Sequence, residues 1–250
     1  AGDLPDSVRE SITEAFGSWT TADPIQIPHE HPAPNSPTAL LIDRPGSVQA
    51  DIRLANFTID RSDPRWADLQ VAARILGGVF GSRLNRVLRE EKGFTYGVGM
   101  GNSPLRHGGI TAVQTSVRTD VAGETIALLP GLLDVASHPF TEDEVVSART
   151  FLLGAAPMHY ATAAGVSHAV ANLVSVGLTA DFIDTTHDAL STVTPQTASQ
   201  VAIELLPTER ASLVVVGDAE ALAPTIREAG WDAQVIPTET ISDPEPQPRR

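Results

Sequence analysis

Cysteine is absent from this 250-residue sequence, and Lys92 is the one lysine among its 17 basic residues. The lack of cysteine excludes disulfides, thiolate metal sites and cysteine nucleophiles, although it identifies no compartment. We find no signal peptide and no apolar run of about 18 residues, so we expect no membrane span. The sequence does not identify the cellular compartment, and we expect a cytoplasmic protein rather than a secreted one. The preference for arginine over lysine indicates a bacterial gene of high GC content.

Positive charge is scarce as well. The sequence has 17 lysines and arginines against 31 acidic residues, a formal net charge of -14, and the basic residues are scattered. Sequence-independent nucleic-acid binding needs a clustered basic surface, so we expect no nucleic-acid partner. A hydrophobic content of 42% is sufficient for a folded core. The chain is therefore predicted to be globular.

The motifs of familiar hydrolytic sites are also missing. There is no G-x-S-x-G elbow and no H-x-x-E-H zinc helix among the seven histidines. His29 and His31 form the one close pair, and in an extended segment they would share a face. They lie in a proline-rich stretch without an evident third ligand, so a metal site there is the weaker alternative. We expect no catalytic residue and no metal site in this chain.

The residues around which the chain is organised are 77–100, GGVFGSRLNRVLREEKGFTYGVGM. Ser82 suits the N-cap of a helix, and Gly93 suits its C′ position, where a left-handed backbone ends the helix. Apolar residues at helical spacing would bury one face between these two ends: Leu84, Val87 and Leu88. The pattern predicts a short helix, a tight turn and a strand.

Arg89 and Tyr96 are the candidate site residues at this corner. Arg89 falls in the last helical turn and Tyr96 in the first residues of the predicted strand, so the turn could aim both at one volume. A guanidinium and a phenol placed in this way can bind a peptide carbonyl or a carboxylate. Two alternatives stay open. Arg89 could pair with Glu90 or Glu91 on a solvated face, and Tyr96 could be a core strand residue.

The run SRLNRVLREEKGFTYG resembles the signature of the C-terminal, non-zinc half of pitrilysin/insulinase-type zinc peptidases, which include the mitochondrial-processing-peptidase-like family. In that family, an arginine and a tyrosine seven residues apart reach across a cleft and help to hold the substrate. Arg89 and Tyr96 match this spacing and its L-R-E-x-x-G-x-x-Y context. Residues 43–52, DRPGSVQADI, resemble the strand pair that opens such a domain. The resemblance covers residues 40–237.

The resemblance implies two homologous halves that close like a clamshell around an unfolded peptide. A zinc-bearing homologous domain or subunit would supply the metal and the general base, whereas this chain would bind substrate through Arg89 and Tyr96. The chain alone would be inactive. The resemblance also allows an alternative, a catalytically silent scaffold or assembly subunit. Arg83 and Arg86 on the same helix are interpreted as solvated or bound to neighbouring carboxylates.

A weak internal repeat suggests the domain organisation. Gly2-Asp3 and Gly217-Asp218 are each followed by a helical pattern and then by an Ile-Pro step. We therefore interpret residues 1–23 as the closing helix of a preceding homologous domain, which indicates a fragment of a longer polypeptide. Residues 24–38 would be a linker, 39–237 the peptidase-like domain and 238–250 a disordered tail.

Apolar periodicity predicts the fold class. Strands are expected at residues 39–43, 48–54, 96–100, 109–117 and 213–216, the last fully buried. Helices are expected at residues 63–76, 141–158, 161–176, 181–190 and 195–205, and a Thr141/Glu144 capping box would open the second of these. Together they predict an α+β fold, a mostly antiparallel sheet with helices packed on one face.

Overall fold

The computed structural model describes residues 2–19 and 37–238. The pair His29 and His31, the predicted linker up to residue 36 and the predicted tail from residue 239 lie outside the described residues. No helix within the described ranges is both long and apolar enough to cross a membrane.

The described residues contain one six-stranded sheet: β1 (Ala39–Asp43), β2 (Gln49–Thr58), β3 (Val98–Pro104), β4 (Gly109–Arg118), β5 (Ser212–Gly217) and β6 (Gln234–Pro237). The strands lie in the order β3-β4-β2-β5-β1-β6. Three neighbouring pairs, β3-β4, β4-β2 and β2-β5, are antiparallel, whereas β5-β1 and β1-β6 are parallel. The predicted, mostly antiparallel sheet is confirmed.

One face of the sheet is buried and the other faces outward. Along β2, Ala50, Ile52 and Leu54 are buried, while the residues between them are more exposed. In β5, Leu213 and Val215 are buried, but the residues that alternate with them are only partly covered. The prediction of a fully buried strand at residues 213–216 is therefore wrong, because helices cover only one side of the sheet.

Two strands extend beyond their predicted ends. β2 continues past Leu54 because its polar residues find partners: Asn56 Nδ2 donates to Pro207 O at 2.9 Å, and the Thr58 and Thr111 hydroxyls lie 3.0 Å apart. β3 runs to Pro104, four residues past the predicted end of the strand at residue 100. Apolar alternation alone does not show such strand ends, since buried polar groups are tolerated wherever they are hydrogen-bonded.

The described helices are α1 (Ser7–Phe16), α2 (Trp66–Ala73, continued by a π-helical turn Arg74–Gly78), α3 (Arg83–Asn85, continued by a π-helical turn Arg86–Glu91), α4 (Ala122–Leu132), α5 (Glu142–His159), α6 (Ala163–Ser175), α7 (Phe182–Thr192), α8 (Pro195–Leu205) and α9 (Ala219–Glu228). Helices α2–α5 and α7–α9 bury residues in one apolar core with the inner face of the sheet. The α+β layer arrangement with helices on one face is confirmed.

The helix predicted from Asp63 begins at Trp66, since the Asp63 carboxylate accepts the Arg65 N–H in a preceding turn.

Helices α1 and α9, which the internal repeat relates to each other, differ in the burial of their apolar residues. When Glu14-Ala15 is aligned with Glu228-Ala229, Ile12 falls opposite Ile226. Ile226 is 0% exposed in the core, whereas Ile12 is 55% exposed and no residue of α1 is buried. The apolar stripe of α1 thus corresponds to a stripe that α9 buries, but it covers no core in the described part of the chain. Helix α1 begins at Ser7, with Asp6 at its N-cap position.

We predict that Ile12→Ala and Ile226→Ala have different effects on stability. Ile226→Ala should lower the free energy of unfolding by about 2–5 kcal/mol, because it leaves a cavity in a close-packed core. Ile12→Ala should change it by less than about 0.5 kcal/mol, because the side chain is exposed. Urea denaturation of the 250-residue chain measures both values. Equal losses from the two variants would show that α1 packs against the core and would contradict the prediction.

Candidate functional site

The predicted corner is present between Ser82 and β3. Leu84 and Leu88 are fully buried and hold the helix against the core. Gly93 has φ +65°, in the left-handed region that favours glycine. Beside it, the amide N–H of Phe94 donates to Leu88 O at 2.9 Å. The predicted helix stop at Gly93 is confirmed.

Asn85 attaches this helix to the first residue of β3. Its Nδ2 donates to Val98 O at 2.7 Å, and its Oδ1 accepts the Val98 N–H at 2.9 Å. The same Nδ2 group donates to Val79 O at 3.1 Å. One buried carboxamide therefore binds both backbone groups of Val98, as a neighbouring strand would. We did not predict this residue, although an asparagine three residues before Leu88, on an apolar helix face, is a signal that could have indicated it.

Thr95 holds the short segment that carries Tyr96. Its hydroxyl donates to Ser116 O at 2.8 Å and accepts the Gly97 N–H at 3.1 Å. Residues 95–97 are thus tied to β4 through a side chain rather than through the strand ladder. β3 therefore begins at Val98, and the prediction that Tyr96 lies in the strand is wrong.

The side chain of Tyr96 is 97% exposed. The alternative that Tyr96 packs in the core is therefore wrong. Its phenol projects from the corner into solvent, where its hydroxyl can donate to or accept from a ligand.

Arg89 stacks on an aromatic ring that we did not predict to be part of the site. Its guanidinium carbon lies 4.1 Å from the centroid of the Phe80 ring. Its Nη1 lies 3.6 Å from Glu90 Oε1, so the alternative of a pair with Glu90 is present, but only as a long ion pair. The side chain is 32% exposed. Stacking orients the guanidinium while it leaves the N–H donors on its edge available to a ligand.

Arg89 and Tyr96 occupy the same helix-to-strand corner. No hydrogen bond or ring contact joins the two side chains among the residues that the structure describes. Arg89 is held by Phe80 on the helix side of Gly93, whereas Tyr96 is free in solvent on the strand side. That both act on one ligand stays a prediction.

Arg83 anchors the start of the same helix to α5. Its Nε and Nη2 donate to the two carboxylate oxygens of Glu144, both at 2.7 Å, and Nη1 donates to His138 O at 2.6 Å. Glu144 also accepts the Thr141 N–H, and the Glu144 N–H donates to the Thr141 hydroxyl, so the predicted capping box is confirmed. Of the two interpretations of Arg83, binding to a carboxylate is the correct one.

An apolar cleft of about 780 Å³ lies beside Phe80. We call it the Phe80–Phe151 cleft; its lining comprises Arg74, Ile75, Gly78, Val79, Phe80, Gly81, Ser82, Asp143, Glu144, Ser147, Ala148 and Phe151. A wider groove of about 1220 Å³ lies between β3 and helices α5–α7, and neither Arg89 nor Tyr96 lines it. The cleft adjoins the candidate site through Phe80, the ring on which Arg89 stacks, although neither Arg89 nor Tyr96 lines the cleft itself.

Metal ligands do not gather within residues 2–19 and 37–238. In these ranges no three histidine, aspartate or glutamate side chains are placed to hold an ion. The described histidines are scattered over the fold: His107, His138, His159, His168 and His187.

The contacts of the Glu144 carboxylate predict that the stability of the fold depends on pH. Burial raises the pKa of its carboxyl, but hydrogen bonds from Arg83 and Thr141 outweigh burial, and the pKa lies below the usual value of 4.5. A lowered folded-state pKa stabilises the fold above the unfolded pKa, and this stability is lost as the pH falls through the folded value. Glu144→Gln should therefore lower the free energy of unfolding by about 1–2 kcal/mol at neutral pH.

The difference in unfolding free energy between Glu144→Gln and the unsubstituted chain should shrink once the pH falls below the usual pKa range of glutamate. Urea denaturation across an acid pH series measures this difference. Glu142→Gln, which removes an exposed first-turn carboxylate of the same helix, is the matched control and should cost less than about 0.5 kcal/mol. A Glu144→Gln effect that is independent of pH would contradict the assignment to the carboxylate.

Comparisons with known proteins give a consistent result. The family model described as peptidase M16 inactive domain matches residues 1–152. A peptidase M16 inactive domain from Pseudomonas fluorescens is similar in structure, with 25% sequence identity and a TM-score of 0.76 over 87% of this chain and 52% of that one. A protease from Helicobacter pylori is similar at 16% identity and a TM-score of 0.72, over 86% of this chain and 53% of that one.

A chain of Complex III2 from Candida albicans shares the fold, with 13% identity and a TM-score of 0.74 over 94% of this chain and 57% of that one. A search among curated proteins found no match. The present chain spans about half the length of the Pseudomonas and Helicobacter chains.

Proposed function

Because the chain belongs to the family of peptidase M16 inactive domains, we propose that it is the substrate-binding half of a clamshell zinc peptidase. The zinc site is supplied by a homologous domain or subunit, since the sequence contains no H-x-x-E-H motif. The substrate is a peptide or an unfolded segment. This half provides one wall of the cleft and selects the peptide.

The main support for the proposal is the exposed corner that bears Arg89 and Tyr96. A tyrosine that is 97% exposed contributes almost nothing to the core, so its position is explained by a ligand better than by folding. Arg89 has unused N–H donors and is oriented by Phe80. Arg89 would bind a carbonyl or carboxylate of the peptide, and Tyr96 would donate a hydrogen bond near the scissile carbonyl as negative charge develops on its oxygen.

The surroundings of the corner support binding through side chains. Asn85 fixes the helix, and Thr95 fixes the segment before β3, so both candidate residues project from a pre-organised backbone. A peptide could also add to β3 as an extra strand. At Val98, however, the Asn85 carboxamide already binds both backbone groups, so strand addition there would have to displace it.

The domain organisation belongs to the same proposal. Residues 39–237 form the peptidase-like domain, and α1 closes a preceding homologous domain. The exposed stripe of α1, which aligns with the buried stripe of α9, supports this assignment. A second sheet like the one described here would cover Ile12 in the way that this sheet covers Ile226.

The second candidate function is a scaffold or assembly subunit of the same family without a part in catalysis. The similarity to a chain of Complex III2, which extends over 94% of the present chain, favours this candidate. The exposed Arg89 and Tyr96 favour the substrate-binding role, because a scaffold does not require them.

Reconstitution with a zinc-bearing homologous half tests both candidates. We expect Arg89→Ala and Tyr96→Phe each to lower kcat/KM by about 10- to 100-fold, because each removes a polar contact to the bound peptide. Arg86→Ala is the matched control, since Arg86 is an exposed arginine on the same helix, and it should leave kcat/KM unchanged. Peptide-cleavage kinetics measure all three variants.

Two results would count against the substrate-binding role. Full activity of Arg89→Ala and Tyr96→Phe in the reconstituted peptidase would favour the scaffold. Chelator-sensitive hydrolysis by the purified 250-residue chain alone would overturn the proposal that the zinc site lies elsewhere.

A further inference from the structure

One long stretch of the surface has no charge. Residues 150–180, all of which the structure describes, contain no Asp, Glu, Lys or Arg, although charged residues make up 19% of the chain. They form the second half of α5, the whole of α6 and the loop after it, and α6 is the only described helix without a charged side chain. The stretch is not core, since Leu173 is its one buried residue. An exposed surface that lacks charge has the composition of an interface.

The two sides of α6 have different surroundings. One side lines the wider groove between β3 and helices α5–α7, through residues that include His168 and Asn172. The opposite side is exposed, with Val174 at 64%. We call this side the α6 outer face; its residues at helical spacing are Ala163, Ser167, Ala171 and Val174. Because these side chains are small and uncharged, another element could pack on the face without burying an unpaired charge.

Gly2, which precedes α1, lies against this face. A β-carbon at Gly2 would be 3.9 Å from the β-carbon of Ala163. In the internal repeat, Gly2 corresponds to Gly217, the last residue of β5. β5 pairs with both β1 and β2, so it is a central strand of the sheet. By this correspondence, a central strand of the preceding homologous domain would end beside Ala163.

Helix α1 leaves a second apolar surface uncovered next to the same contact. Ile12 and Phe16 are 55% and 50% exposed, whereas Ile226, the counterpart of Ile12, is 0% exposed under the present sheet. A homologous sheet that covered Ile12 would have its central strand at Gly2, so the domain that contains it would also adjoin the α6 outer face. The chain covers 52% of the Pseudomonas fluorescens chain, which leaves that protein room for a further domain of this size.

We infer that the α6 outer face is the docking surface for the homologous domain that α1 closes. This inference rests on the domain organisation given under the proposed function, and it adds the surface through which the two domains meet. The partner surface is apolar and uncharged where it meets Ala171 and Val174. Docking of this kind accounts for the absence of charge from α6, because a charge without a partner is costly to bury.

The absence of cysteine allows a direct test, because one introduced cysteine is the only thiol in the 250-residue chain. Val174→Cys places a thiol on the α6 outer face. Ile203→Cys on α8 is the matched control, since Ile203 is also exposed, at 48%. Maleimide labelling is measured for each variant as the 250-residue chain and within the full polypeptide that its gene encodes. Labelling of the unsubstituted full polypeptide gives the background from any other thiols.

We expect Val174→Cys to react at least about tenfold more slowly in the full polypeptide than in the 250-residue chain, because a docked domain excludes the reagent from its thiol. Ile203→Cys should react at the same rate in both. A photoreactive maleimide attached at position 174 of the full polypeptide should then crosslink to the domain directly before α1, as identified by mass spectrometry.

Several results would overturn the docking surface. Val174→Cys could react equally fast in both proteins, or its crosslinks could lie in another domain. Labelling that slows as the concentration of the 250-residue chain rises would assign the face to a second copy. Labelling that slows when unfolded casein is added would assign it to the substrate. A gene that encodes no homologous domain upstream would overturn the inference together with the domain assignment.

The proposed substrate-binding role can fail independently of the docking surface. Protection and the expected crosslinks at position 174, combined with unchanged kcat/KM in Arg89→Ala and Tyr96→Phe, would support the docking surface and count against substrate binding alone. Reduced kcat/KM in those two variants without protection at position 174 would leave substrate binding supported and overturn the docking surface.

Discussion

The pairing of the Asn85 carboxamide with both backbone groups of Val98 is the constraint on which the candidate site depends. It attaches the helix that carries Arg89 to the edge strand that follows Tyr96. A buried amide is costly unless its donors and acceptors are satisfied, and here Val79 O also accepts from it. The corner therefore has a defined geometry although its two candidate residues make few contacts. The same pairing covers the edge of the sheet at the point where a strand of another chain could add.

Two arginines on one short helix have opposite environments. Arg83 is mostly buried and uses its planar fork on the Glu144 carboxylate and on a backbone carbonyl, which fixes the helix against α5. Arg89, less than two turns later, lies near the surface and stacks on Phe80 with its hydrogen-bond donors unused. Bidentate pairing is the stronger interaction, so Arg83 stabilises the backbone from which Arg89 is presented. The contact that fixes the helix and the arginine proposed to bind substrate thus lie in adjacent turns.

The packing of the sheet and of helix α1 leaves surface uncovered within the described residues. Helices cover one face only, and the outer residues of β5 remain partly exposed. Helix α1 has an apolar stripe that covers no core in the described residues. Apolar surface of this kind is stabilised when another layer covers it. Both features are compatible with the proposed arrangement, in which homologous domains contact one another.

Local rules were sufficient for much of the fold, and the sequence by itself determined the α+β class, the capping box of α5 and the helix stop at Gly93. Each of these depends on residues a few positions apart, where backbone conformation and periodicity dominate. Only the tertiary structure decided that Tyr96 lies before the strand, that Phe80 supports Arg89 and that Arg83 binds Glu144. The decisive contacts of Thr95 and Arg83 join residues 21 and 61 positions apart in the chain. Such contacts follow from how packed elements meet, which local patterns do not encode.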